Sequence, residues 1–461
     1  MAKARKQKPS PTQGGRTNAA LQLLQPIPDR EPWTWAQKGT ALGLGIVLLG
    51  SAFALDYSVD QGFDAPKRLL FLLGAWIAVI ATACASGRIE GALRDPFWRY
   101  PVRALPRILL VVAALLAVVS GLVAPGPSDW GDLRFIATGG LLIWMGMRIG
   151  KHHHVVKTVW VLALIAVLAN TLLSLLQHTD MPSPVQVARL GGRFDTGGLL
   201  GNEGLVSLAA ALSIPSLLAF AGKFKGLGRT SLIGAALLSV LVIVLNQQLT
   251  SLIAAAAGGS VWAVLRWRLV WIARLTPLFC VIALVVGLVP SLRQPVLARI
   301  GMQTIASAQI KTTYRLGAVA ASVAMINERP WLGHGPGSYA RDSQRFRVRA
   351  AEAWRTRLEM PPNANAFVYA HQDYLQWGAE FGLPSLLLGL AGLFAVLWRC
   401  ALAAWRNADP ETLAVVSTLC AGAVMALAWF PIHVPILAAL LALAFGRAVV
   451  LGEARSLGET P

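Results

Sequence analysis

The sequence predicts an all-α, polytopic membrane helical bundle of about twelve spans with a long helical loop on the outer side. Three observations carry this. The chain has 461 residues, 55% of them hydrophobic and only 14% charged, with a mean hydropathy of +0.57. Water-soluble domains carry roughly 25% charged residues, so ordinary soluble domains are excluded. The apolar residues also arrive in blocks of a length that crosses a hydrocarbon core of about 30 Å. Finally, the charge of the connecting loops alternates along the chain. Disorder is excluded by the abundance of residues able to bury.

The blocks place spans near 38–55, 69–86, 107–124, 135–150, 156–176, 203–222, 230–246, 249–266, 270–289, 374–397, 411–429 and 432–450. Residues 1–37 form a basic, proline-containing tail (Lys3, Arg5, Lys6, Lys8, Arg16) that does not read as a signal peptide and is expected at anionic headgroups. The loop after the first span is acidic (Asp56, Asp60, Asp64) and the next is basic (Arg88, Arg94, Arg99, Arg103, Arg107). This phase persists through Asp129 and Asp132, Arg148 and Lys157, Lys223 and Lys225, Arg266 and Arg268, and Arg399 and Arg406. It puts both termini, the tail 1–37 and the segment 451–461, in the cytoplasm. The net charge of +19 then reads as inside loops, with membrane lipids and no nucleic acid as partners.

Two outer segments depart from that pattern. One spans about 177–202; the other, 290–373, separates spans 1–9 (38–289) from spans 10–12 (374–450). The long segment carries Arg293, Arg299, Lys311, Arg315, Arg329, Arg341, Arg345, Arg347, Arg349, Arg355 and Arg357 against few carboxylates. Long loops translocate regardless of charge, so the topology stands. An outward basic surface suits an anionic ligand, a phosphate or diphosphate, or an anionic lipid. Taken singly, each arginine reads equally as the polar side of a solvated helix.

Three segments concentrate polar residues. From Tyr314 to Glu328 the pattern is helical, and Pro330 ends it. Gly333, Gly335 and Gly337 with Pro336 follow as a tight turn that permits close backbone approach. His334 lies inside that turn and Tyr339 just beyond it. His371 stands where the loop returns to the membrane, followed by Asp373, Tyr374, Gln376 and Glu380. A histidine there exchanges protons near neutral pH, but equally reads as a satisfied interfacial residue. Arg193 lies among Gly191, Gly192, Gly197, Gly198 and Gly201, on a stretch able to present a guanidinium to a phosphate.

The four cysteines, Cys84, Cys280, Cys400 and Cys420, are far apart and read as buried small hydrophobes. His152, His153 and His154 lack accompanying carboxylates or cysteines, so no metal site is expected. His433 reads as structural, and Glu380 as a helix-holding or arginine-pairing group. The small-residue run Ala254–Gly259 predicts close helix contact.

In combination these motifs resemble the O-antigen ligase family, which includes O-antigen ligases, polysaccharide polymerases and some protein O-oligosaccharyltransferases. The order is a glycine-rich arginine segment, then R-P-W-L-G-H-G-P-G-S-Y (329–339), then A-H-Q-D-Y-L-Q-W-G-A-E-F-G-L (370–383). The resemblance implies a glycosyltransferase at the periplasmic face of the inner membrane. Its donor would be a glycan on undecaprenyl diphosphate. Its acceptor would be lipid A–core for a ligase, or the growing glycan for a polymerase. No cofactor or metal is implied. By the same resemblance His371 would activate the acceptor hydroxyl, and Arg193 and Arg315 would bind the donor diphosphate. His334, Tyr339, Tyr374 and Glu380 are supporting candidates. The sequence departs from the family pattern at Asn202-Glu203-Gly204, at Ser251-Leu252 and at Gln372.

Chemistry supports these roles independently. Leaving-group charge on a diphosphate needs Arg or Lys where no metal serves, and a sugar hydroxyl needs a base such as His. A transporter of the lipid-linked sugar is the reading from another class. It would place ionisable residues deep in several spans and show inverted repeats; neither is visible.

Overall fold

A computed structural model describes residues 33–56, 63–86, 101–124, 126, 128–150, 152–179, 195–269, 305–353 and 368–454. Among them every regular element is helical: α1 Trp35–Phe53, α2 Ala65–Ser86, α3 Pro101–Val123, α4 Trp130–Ile149, α5 His153–Gln177, α6 Glu203–Ala221, α7 Gly226–Leu245, α8 Leu249–Trp267, α9 Ile305–Glu328, α10 Ser338–Ala353, α11 Asp373–Asn407, α12 Pro410–Met425 and α13 Pro435–Ala454. A single 3₁₀ turn, Pro431–His433, joins α12 to α13.

Each expected span coincides with a helix except 270–289, which lies outside the described residues. Nine helices among the described residues are long and apolar enough to cross a membrane. Helix α12 is shorter, at 16 residues. At about 1.5 Å per residue it falls short of a full hydrocarbon core. The predicted boundaries 411–429 and 432–450 are corrected accordingly. The chain leaves α12 at Met425 and re-enters helix only at Pro435, so 426–434 is a turn rather than membrane helix.

Burial sorts the helices. The apolar windows of α6 and α13 are each 83% buried, against 22–44% for the other seven candidate spans. Both are apolar over most of their circumference, the pattern of a helix enclosed by others, with Arg447 of α13 paired to Glu411 of α12. Around them α12 packs on α6 and α8, α13 on α4, and α11 on α3. Small residues set the closest crossings. Gly43 and Gly74 let α1 and α2 meet backbone to backbone, and Gly146 and Gly446 do the same for α4 and α13. Within the Ala254–Gly259 run, Ala254 is fully buried, and a Cβ at Gly258 would lie 2.8 Å from the Ser417 carbonyl of α12.

The loop expected at 290–373 contributes α9 and α10, which pack on each other and on the start of α11. The helix predicted from Tyr314 begins earlier, at Ile305. Helix α10 turns Phe346 and Ala350 inward and Arg341, Arg345 and Arg349 outward. Arg345 and Arg349 face Glu328 of α9 at 3.9 and 3.0 Å. Exposed pairs of this kind contribute little to stability.

Candidate active site

The two family-like motifs fit into one another. Helix α11 breaks at Gly382 (φ 82, ψ 163), and Pro384 follows. Proline has no N–H, so the Glu380 carbonyl four residues earlier loses its helical partner. Glu380 O instead accepts from Gly335 N (2.9 Å) and from the Ser120 hydroxyl (2.8 Å). Ala379 O accepts from His334 N (3.0 Å), and Leu383 N donates to Pro330 O (2.8 Å). The glycine turn 333–337 thus supplies donors to the carbonyls that the helix break frees. The two backbones touch, and a Cβ on Gly333 or on Gly382 would overlap the opposite chain. Both glycines have positive φ, so the joint requires glycine twice over.

This joint fixes the supporting candidates. His334 is buried; its Nε2 lies 3.0 Å from Met325 O, which makes that nitrogen the donor, and its ring meets Phe346 edge-on. Burial lowers its pKa, holding it neutral. Tyr339 is 1% exposed, packed with Phe346 and Met325, and burial raises its phenol. That is a core position, not the wall of an open sugar site. Glu380 is fully enclosed and accepts from Tyr339 N and Gln376 Nε2, both at 3.3 Å. Tyr374 donates its hydroxyl to Ala423 O (2.8 Å), tying the start of α11 to α12.

His371 lies one residue before the α11 N-cap, Gln372. Its φ is 54, the left-handed region, where a residue with a Cβ is strained by about 1–3 kcal/mol. Its ring packs edge-on against Trp429 (5.9 Å) and Phe430 (5.1 Å). Burial lowers its pKa to about 4, and the nearby Arg315 charge, from α9, pushes in the same direction. The imidazole is therefore neutral at pH 7 and able to take a proton. Arg315 itself is exposed. The structure thus brings Arg315 and His371 within electrostatic reach of each other. Arg193 lies outside the described residues.

The glycine-rich stretch after Arg193 is described from Asp195 onward. Asn170 of α5 accepts from Leu199 N (2.8 Å), and Gln177 accepts from Gly198 N (2.9 Å). The fully buried Asn246 accepts from the Thr196 hydroxyl (2.7 Å) and donates to Glu203 O (3.3 Å). Gly201 abuts Phe63, and Gly204 abuts Trp429, whose ring faces His371. The acidic loop, the glycine-rich stretch, the glycine turn, His371 and the 426–434 turn therefore gather at one end of the bundle. These are the segments that the charge alternation assigns to one side.

Sequence reasoning missed a charged cluster behind His371. Arg68, at the start of α2, donates to the Tyr369 hydroxyl (2.6 Å), to Asp64 (2.6 Å) and to His433 O (3.3 Å), and lies 3.6 Å from Asp132. His433 sits between Asp132 (3.7 Å) and Asp373 (3.8 Å). Burial opposes its charge, but Asp132 and Asp373 outweigh it and raise its pKa. The only sequence signal was an Arg and a His at the edges of apolar blocks, opposite acidic loops.

Residues 234–390 match the family model described as O-Antigen ligase. Over this stretch the chain is similar to the O-antigen ligase family. The match runs from α7 into α11 and takes in both interlocking motifs, Arg315 and His371. No curated protein matches the chain. The members of that family are membrane glycosyl-transfer enzymes of the ligase or polymerase type, and the similarity suggests chemistry of that general kind.

Proposed function

We propose that the chain is an O-antigen ligase-like glycosyltransferase. It moves a glycan from undecaprenyl diphosphate to a hydroxyl of lipid A–core, at the periplasmic face of the inner membrane, with both termini cytoplasmic. The observation that carries this reading is His371: half-buried, neutral, strained, and under the charge of Arg315 at the end where the glycine-rich stretch also arrives. The acceptor oxygen attacks the anomeric carbon while the imidazole of His371 takes the hydroxyl proton. The bond from that carbon to the diphosphate oxygen breaks, and undecaprenyl diphosphate leaves. Arg315 and Arg193 neutralise the charge that builds on the leaving group. A single displacement inverts the anomeric centre. No metal is assigned a step, because cationic side chains suffice for that stabilisation.

Complementation of a deletion strain tests the reading. A lipopolysaccharide gel that loses its whole ladder, with lipid-linked polymer accumulating, supports the ligase. A core band carrying one repeat unit would assign the polymerase instead. An unchanged ladder would contradict both.

A further inference from the structure

We propose that Arg68, Tyr369 and His433 form a positioning frame that holds His371 in its left-handed conformation from both sides. The proposal rests on the reading of His371 as the base.

A strained residue keeps its conformation only where its surroundings over-determine it. On the N-terminal side of His371, the Tyr369 ring lies between Phe430 (4.7 Å) and His433 (4.6 Å), and its hydroxyl is held by Arg68. Ala370 N is held by Gln376 Oε1 (2.9 Å). On the C-terminal side, Asp373 N donates to Ala426 O (3.0 Å), and the Asp373 carboxylate accepts from Ile432 N (3.1 Å). Both sides end in the same charged cluster. Arg68 is fixed by Asp64 and Asp132 and lies over the Phe135 ring at 4.8 Å. His433 links Asp132 to Asp373.

The frame is therefore assembled from three remote pieces, the first turn of α2, the segment just before α11 and the turn before α13, braced by Asp132 in the first turn of α4. It is buried where it meets His371: His433 and Asp373 are each 4% exposed. The groups facing His433 are Asp132, Asp373 and Glu380, and those facing Arg68 are Asp64, Asp132 and Tyr369. Arg315 is the charge facing His371. Arg68, Tyr369 and His433 act through the backbone and ring of His371, as positioning residues.

The test uses the full-length protein in membranes of a ligase-deficient strain. The donor is undecaprenyl-diphosphate-linked O-antigen extracted from that strain, and the acceptor is its lipid A–core. Tyr369→Phe keeps the ring stack and removes only the hydroxyl that Arg68 holds; Arg68→Lys and His371→Ala are measured alongside. We expect Tyr369→Phe to lower kcat about 10-fold with donor KM within about twofold. We also expect the acid limb of its pH–rate profile to rise from near 4 towards the ordinary histidine value of about 6.5, as His371 gains water. A purely structural role would lower thermal stability without moving that limb, and that result overturns the proposal. So do wild-type kcat and pH profile in both Tyr369→Phe and Arg68→Lys while His371→Ala is inactive; the assignment of His371 then survives. An active His371→Ala overturns that assignment itself. If Arg68→Lys fails to accumulate, Tyr369→Phe alone decides.

Discussion

Gly333 and Gly382 cross in mutual backbone contact. Gly333 faces the Glu380 carbonyl and Phe381 N, and Gly382 faces the Trp331 carbonyl and Leu332 N. The two residues belong to different motifs, yet neither motif takes its shape without the other. A side chain at either position meets both a backbone overlap and an unfavourable positive φ. Gly382→Ala and Gly333→Ala should each cost about 3 kcal/mol or more. The check is thermal unfolding in detergent, where both variants should melt well below wild type or fail to accumulate.

Glu380 should prove structural. It accepts from Tyr339 N and Gln376 Nε2. Glu380→Gln keeps a side-chain acceptor, and transfer should stay within a few-fold of wild type. Glu380→Ala leaves the Tyr339 amide unsatisfied in the interior, a loss of about 1–3 kcal/mol. Melting temperatures and transfer rates of the two variants, measured together, separate this from a second base role, which Glu380→Gln would abolish.

Transfer should have an unusually low acid limb. His371 must be neutral to take a proton, and burial, then Arg315, depress its pKa to about 4. The rate should stay flat as pH falls through 6.5 and drop only near 4. Arg315→Gln removes a positive charge that disfavours imidazolium, so the pKa rises and the limb moves up. The same substitution should raise donor KM about 10-fold or more, the scale of a lost charge-assisted contact. A pH–rate series on both proteins reads both effects.

Adjacent glycines in α8 should respond in opposite ways. A Cβ at Gly258 meets the Ser417 carbonyl at 2.8 Å and Pro215 at 3.2 Å, whereas Gly259 has nothing within 4 Å. Gly258→Leu should destabilise by about 1–3 kcal/mol. Gly259→Leu should stay within about 0.5 kcal/mol of wild type or gain slightly. Detergent melting curves of the pair make the comparison.

The helical bundle was legible because membrane solvation leaves few options: apolar blocks of bilayer length must become helices, and loop charge gives their phase. Its ends were less so. Residues 426–434 look as apolar as a span, and only the turn geometry around Pro431 and Pro435 separates them from α12 and α13. At the site, His371 and Arg315 were singled out by the family resemblance, and the fold brings them within electrostatic reach of each other. What spacing could not give was the reason for the glycines, since Gly333 and Gly382 are explained by contact across the fold. Tyr339, a supporting candidate in the sequence, is core, because helical spacing along α10 puts Tyr339, Phe346 and Ala350 on one inward face. Arg68 and His433 were invisible as site residues. They lie 365 positions apart, and only the packing of α2 against the α12–α13 turn makes them neighbours.

The central claim is that His371 takes the acceptor proton. The most direct measurement is glycan transfer by purified wild type and His371→Ala, with undecaprenyl-diphosphate-linked O-antigen as donor and lipid A–core as acceptor. His371→Ala should lose at least about 100-fold in kcat, the scale of a missing general base, with donor KM nearly unchanged. Transfer at the wild-type rate by His371→Ala would contradict it.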